Sequence, residues 1–369
     1  MRVTGVVKPL KKGGAVLRDP TDSSRSTRND IFVPVKLIKR FNLTEGAVVT
    51  GTTRPGKPRP AVAKVESICG LDPEAFRNRT PFRELTAIDP HRRFDLSASG
   101  SISMRVMDIV APIAMGTRGL IVSPPKAGKT MLLADIAKSV LMSNHNARVI
   151  ALLVDERPEE VTAFRRETDA EVFASSNDES VDAHISLVEF VMEHVKLELE
   201  CGRNVVVLVD SLTRMGRAFN VRSSNKGRVL SGGLDSTALE IPRRFFGMAR
   251  AVENGGSVTI IATCLVDTGS RMDDYIFQEF KGTGNSELVL DRSIAEERVF
   301  PAVNINMSGT RKEELLYDDE SIEAIRLIRR GLASRKPVDA LTSLLDALKS
   351  HPTNDGLFAH VRQEYARRA

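Results

Sequence analysis

At 369 residues, with 41% hydrophobic and 27% charged residues, the chain has room for two or three globular domains and is neither disordered nor fibrous in composition. Its longest apolar runs, such as Val205 to Val209 and Val258 to Ile261, fall far short of the roughly 20 residues that cross a bilayer, and the opening MRVTGVVKPLKKGG lacks the pattern of a signal peptide, so a cytoplasmic protein without membrane contact is expected. The formal charge of +5 is uneven: residues 1 to 70 hold 14 Lys and Arg against 5 acids, a local excess of +9, and the remainder is net negative.

Residues 1–70 alternate short β-prone runs (Val3 to Val7, Ala15 to Arg18, Ile31 to Val35, Ala47 to Thr52, Ala61 to Val65) with turns rich in Gly, Pro, Asp and Ser, which predicts a small barrel. Its basic excess suits either a solubilising surface or a polyanion. Residues 71–101, polar and broken by proline, read as a linker. From 102 to 369 the pattern becomes α/β. Gly119 to Ser123, Val149 to Val154, Val205 to Val209, Val258 to Thr263 and Glu287 to Leu290 are continuous apolar runs, as in strands buried on both faces of a mainly parallel sheet. Thr130 to Ser143 and Ile185 to Glu200 have helical length and period, and two helices around Pro337 close the chain. Cys69, Cys201 and Cys264 are far apart in sequence and read as reduced structural thiols; the six histidines lack zinc-ligand spacing.

The strongest chemical signal is SPPKAGKT, Ser123 to Thr130, between the strand GLIV and the helix TMLLADIAKSV. It is a phosphate loop with Ser in the first glycine position. Backbone N–H groups and a helix N-terminus face phosphate oxygens there, Lys129 reaches the β and γ phosphates, and the Thr130 hydroxyl suits Mg²⁺. Two acids follow apolar strands. VVVLVD ends in Asp210, placed to hold the Mg²⁺ shell, and ALLVDE ends in Asp155 and Glu156, of which Glu156 is the candidate base for the attacking water. Taken singly, either acid could be a helix cap. ATP and Mg²⁺ are the expected cofactors.

The strings GLIVSPPKAGKTMLL, LLVDERPEEVT, LVDSLTRMGRAFN, RVLSGGLD, RRFFGMARAVENGGSVTIIAT, DTGSRMDDYIFQEFKGTGNSELVLDR and ERVFPAVNINMSGTRKEELL resemble the bacterial transcription termination factor Rho family over most of the chain. The resemblance implies a RecA-type P-loop ATPase domain behind an OB-like barrel, assembled as a homohexamer that threads RNA through its centre and acts on the RNA polymerase elongation complex. It implies nucleotide contacts from Ala114, Met115, Gly116, Thr117, Arg118 and Gly119, from Pro125, Lys126, Ala127, Gly128, Lys129, Thr130 and Met131, from Arg157 and Arg214 as phosphate sensors, and from Phe300 stacking on adenine. Arg311 of SGTRKEE matches the family's arginine finger, which acts on the neighbouring subunit's ATP. Lys226, Gly227 and Arg228, with Lys281 and Gly282, match its central RNA loops.

The barrel departs from the family pattern. The usual RNA platform carries two aromatics where KGGAVLR has Gly14 and Val16, while Arg18 and Phe32 are kept, and the usual acid and second aromatic near the last strand give way to Lys57 and Arg59. Base capture by stacking is thus expected to be weak and electrostatic capture strong. An RNA-dependent ATPase and translocase is the main expectation. The alternative is an ATP-binding nucleic-acid regulator without termination activity. A rotary ATP synthase subunit or a recombinase sharing only the core is disfavoured by FKGTGN and SGTRKEE.

Overall fold

The structure, a computed structural model, describes all residues except 11, 12, 20–26, 28, 29, 57, 58, 144, 145, 224–232 and 369. Strands β1 (Arg2–Pro9), β2 (Ala15–Arg18) and β3 (Ile31–Val33), helix α1 (Val35–Phe41), and strands β4 (Val48–Arg54) and β5 (Ala61–Ile68) build the amino-terminal unit. Its strands close into a barrel in the order β1, β2, β3, β5, β4. The closure leaves no open sheet edge to aggregate. Val7, Leu17, Val33, Val49, Val62 and Ile68 fill the interior. The expected third strand is shorter than its apolar run, because Pro34 has the fixed φ of a helix entry and VKLIKRF turns into α1.

Residues 71–101, expected to be a linker, are a packed strap. Helix α2 (Pro73–Arg77) buries Phe76, β6 (Ala87–Ile88) joins the large sheet, and Phe94 and Leu96 enter the core. The chain then continues through α3 (Ile102–Val110), β7 (Arg118–Ser123), α4 (Lys129–Ser143), β8 (Ala147–Glu156), α5 (Pro158–Glu167), β9 (Glu171–Ser176), α6 (Val181–Glu200), β10 (Asn204–Asp210) and α7 (Leu212–Ser223). After α8 (Glu240–Phe246) come β11 (Arg250–Val252), β12 (Ser257–Leu265), α9 (Arg271–Lys281), β13 (Ser286–Val289), α10 (Arg292–Glu296) and β14 (Gly309–Thr310). Three helices finish the chain: α11 (Asp319–Leu332), α12 (Pro337–Ser350) and α13 (Asn354–Arg368). Pro337 opens α12, and α13 was not foreseen because its sequence is largely polar.

The sheet runs β14, β13, β7, β12, β10, β8, β9, parallel except at β14, with antiparallel β11 and β6 attached beside β12. Its central strands are apolar throughout because successive side chains enter opposite cores. Val206 and Leu208 of β10 pack with α3, α4 and the last helices, while Val205, Val207 and Val209 pack with α6 to α9. The parallel order places the carboxyl ends of β7, β8 and β10, and so Ser123, Glu156 and Asp210, on one rim.

Candidate active site

The loop after β7 turns sharply, with Lys126 at φ +67° and Gly128 at φ +92°, and delivers the chain into α4 at Lys129. Glycine at 128 meets that φ without a Cβ clash. The Lys129 ammonium lies 2.7 and 2.6 Å from the Asp210 carboxylate oxygens and 3.3 Å from Glu156 Oε1. Burial alone would lower its pKa, but Asp210 and Glu156 outweigh burial and hold it above the usual lysine value. The Thr130 hydroxyl donates to Asp210 Oδ2 at 3.2 Å, and Thr263 at the end of β12 donates to Oδ1 at 2.8 Å. Asp210 is fully buried, and these donors satisfy its oxygens there.

Glu156 is 2% exposed. Burial, and next the neighbouring Asp210, raise its pKa, as suits a carboxylate that must accept a proton. Arg214 approaches it at 3.4 Å and also donates to the main-chain carbonyl of Asp155, a residue held at φ +57°. Arg157 caps α5 with its side chain exposed, 4.0 Å from Glu160. Thr130 and Asp210 offer hydroxyl and carboxylate oxygens at one point beside the loop. That hard donor set, with phosphate oxygens and water completing the shell, fits Mg²⁺.

Phe300, 47% exposed, lies over Gly128 and with Pro125, Lys126, Ala295 and Arg298 lines a cleft of about 550 Å³ beside the loop. Met131 is exposed on the first turn of α4 and Ala127 is buried in the loop. Ala114, Met115, Gly116, Thr117, Arg118 and Gly119 were expected to contact nucleotide. They lie at the start of β7, the opposite end from the phosphate loop. Their polar groups are used within the fold: the Ala114 amide donates to Thr117, that of Gly116 to Thr259, and that of Arg118 to Asn285. Arg311 shares that far end, its amide bonded to the Asn285 carbonyl, and its side chain is exposed without an ion pair among the described residues. With β7 and β13 in register from Gly119 and Ser286, roughly 13 Å of sheet separates Arg311 from its own phosphate loop.

In the barrel, Phe32 packs its ring against Gly14, where a Cβ would approach to 2.7 Å, so glycine here makes room for the aromatic. Val16 pairs with Phe32 in the ladder but is buried. Arg18 and Arg59 flank Asp30 at 3.9 and 4.0 Å, so this acid offsets part of the expected basic patch. Lys57, Lys226, Gly227 and Arg228 lie outside the described residues. Lys281 ends α9 ahead of Gly282, exposed, with its ammonium 5.5 Å from the Phe277 ring. The sequence reading missed Thr263 and Asp30. Thr263 closes an apolar run beside β10, which was its only sequence signal.

Comparison with known proteins matches residues 3–74 to the Rho termination factor RNA-binding domain and residues 103–310 to the ATP synthase alpha/beta family nucleotide-binding domain. Transcription termination factor Rho of Pseudomonas aeruginosa is 46% identical over 367 residues, covering 98% of this chain and 88% of that protein. That of Aquifex aeolicus is 45% identical over 361 residues, covering 96% and 83%. Among solved structures, an ATPase from the type III secretion system of pathogenic bacteria aligns with a TM-score of 0.64 at 19% identity, over 76% of this chain and 86% of its own. An ATP synthase subunit from Nanoarcheaum equitans aligns at 0.59 and 13%, over 77% and 78%. These two likenesses concern the fold alone.

Proposed function

The chain belongs to the transcription termination factor Rho family, and from that premise we propose that it is an RNA-dependent ATPase and RNA translocase that frees nascent RNA from the RNA polymerase elongation complex. The observation that carries the reading is the meeting of Lys129, Glu156, Asp210 and Arg214 on the rim that holds the phosphate loop, in a chain that opens with an RNA-binding barrel. We divide it into a barrel of residues 1–70, a connecting strap of 71–101 and an ATPase unit of 102–369.

Lys129, now shared between two carboxylates, turns to the β and γ phosphates when ATP enters. That releases Glu156 to orient and deprotonate water for in-line attack on the γ phosphorus. Thr130 and Asp210 would hold Mg²⁺, which would supply charge to offset that of the phosphates. Phe300 stacks on adenine, and Pro125, Lys126, Ala127, Gly128 and Met131 shape the pocket. Arg214 and Arg157 sense the phosphate. The distance between Arg311 and its own loop favours a ring, the family's homohexamer, in which Arg311 completes the neighbour's site. Lys281, Gly282, Lys226, Gly227 and Arg228 face RNA in the pore, while Arg18, Phe32, Lys57 and Arg59 capture it at the barrel.

A second reading, an ATP-binding regulator that does not terminate, is favoured by the loss of aromatics at Gly14 and Val16. Stalled elongation complexes separate the two. The main reading expects ATP-dependent release of RNA by the chain and none by Glu156→Gln; a chain that binds RNA and ATP but releases nothing fits the regulator.

A further inference from the structure

Cys69 and Cys201 are separated by roughly 130 residues, yet the fold puts them together. Cys69 stands where β5 leaves the barrel, and Cys201 caps the carboxyl end of α6. Cys201 packs against the barrel core that contains Cys69, and its neighbouring thiol helps push the Cys69 pKa up. Arg203, two residues beyond Cys201, donates to the Cys69 carbonyl at 3.2 Å, which fixes the two backbones against each other. Both thiols are free. Cys264 sits apart, fully buried in β12 beside Thr213.

From this juxtaposition we infer that Cys69 and Cys201 are an oxidisable pair, a modification site at which a peroxide closes a disulfide between the barrel and the ATPase unit. The half-buried Cys201 is the sulfur that peroxide reaches. Contact with Cys201 and burial keep the Cys69 thiol protonated, which assigns the first attack to Cys201. The Cys201 thiolate attacks one peroxide oxygen, the O–O bond breaks, hydroxide leaves, and Cys201 becomes a sulfenic acid. The Cys69 sulfur then attacks the Cys201 sulfur. An S–S bond forms, the S–O bond breaks, and the Cys69 proton leaves with the departing hydroxide as water. Overall two thiols and one hydrogen peroxide give one disulfide and two waters, with both sulfurs oxidised and both peroxide oxygens reduced. The bond ties the last barrel strand to α6 and fixes the barrel on the ATPase unit, and a dithiol reductant reverses it.

The full chain treated with hydrogen peroxide, alkylated and mapped without reduction tests the pair. A peptide linking Cys69 to Cys201, with Cys264 alkylated, a Tm raised by several degrees, and reversal by dithiothreitol are expected. In Cys69→Ser the reaction should halt at a dimedone-reactive Cys201. The wild-type map alone decides the matter if a variant misfolds. Oxidation that stops at Cys201 sulfenic acid in the wild type, or links that join Cys264 or two chains, would overturn the inference.

Discussion

Three side chains share one buried cluster of charge, and their environments assign their tasks. Lys129 is held charged by Asp210 and Glu156, Asp210 accepts hydrogen bonds from Lys129, Thr130 and Thr263, and Glu156 is the carboxylate whose pKa burial lifts. Lys129→Ala should abolish turnover. Glu156→Gln should lower kcat by about 10² to 10⁴ and leave ATP binding close to normal, because it removes a base and no ground-state phosphate contact. The same shift sets the pH profile. Glu156 works ionised, so activity should climb as pH rises through its elevated pKa, placing the acid limb of kcat/KM above the roughly 4.3 of an ordinary glutamate. An acid limb that survives unchanged in Glu156→Gln would assign it elsewhere. Residues 123–130, Glu156 and Asp210 were legible in the sequence because each signal is local: an apolar strand, then the chemistry at its end. Thr263, the Arg18–Asp30–Arg59 group and the Cys69–Cys201 contact were not, since each depends on which segments become neighbours. Ala114 to Gly119 are close to the loop in sequence, yet the length of β7 sets them at its other end.

At the scale of elements, the strap and the closing helices showed where periodicity fails. Residues 71–101 look like a linker because their apolar residues are sparse, yet Phe76, Phe94 and Leu96 are each placed in a core. The closing helices are gripped by α3. Arg105, buried, donates to Asn354 at 3.0 Å and to the carbonyls of Leu348 and His351 at 2.9 and 2.7 Å. Arg105→Ala strands these acceptors and should cost about 3 kcal/mol, read as a lower Tm; a Tm within a degree of wild type would show that water replaces the guanidinium. The barrel carries a different expectation. Without aromatics at Gly14 and Val16 it lacks stacking area that is worth about 1 to 3 kcal/mol per base, so it should bind poly(C) and poly(U) almost equally. Its basic excess makes binding steeply salt-dependent, each phosphate contact adding about 0.7 to the slope of log affinity against log salt, although Asp30 trims the patch. Strong poly(C) preference with a shallow slope would reveal a surviving stacking pocket.

The whole molecule is a barrel and a RecA-type sheet whose two rims do different work. One rim gathers the phosphate loop and its carboxylates; the other exposes Arg311. On the proposed reading such a chain forms complete sites only between copies, and the measurement of that is complementation. Rings mixed from Lys129→Ala and Arg311→Ala chains should regain part of the activity that neither variant has alone, since some interfaces then pair an intact loop with an intact finger; a trans arginine of this kind is worth about 10³ to 10⁵ in rate. No rescue in verified mixed rings would return Arg311 to the surface.

The most direct test of the account is ATP turnover by the intact chain with and without RNA. Hydrolysis gated by RNA in the pore predicts a low basal rate and a rise of at least about tenfold when RNA is added, a shift of 1.4 kcal/mol or more in the barrier. Equal rates in the two conditions, with RNA binding verified in the same sample, would contradict it.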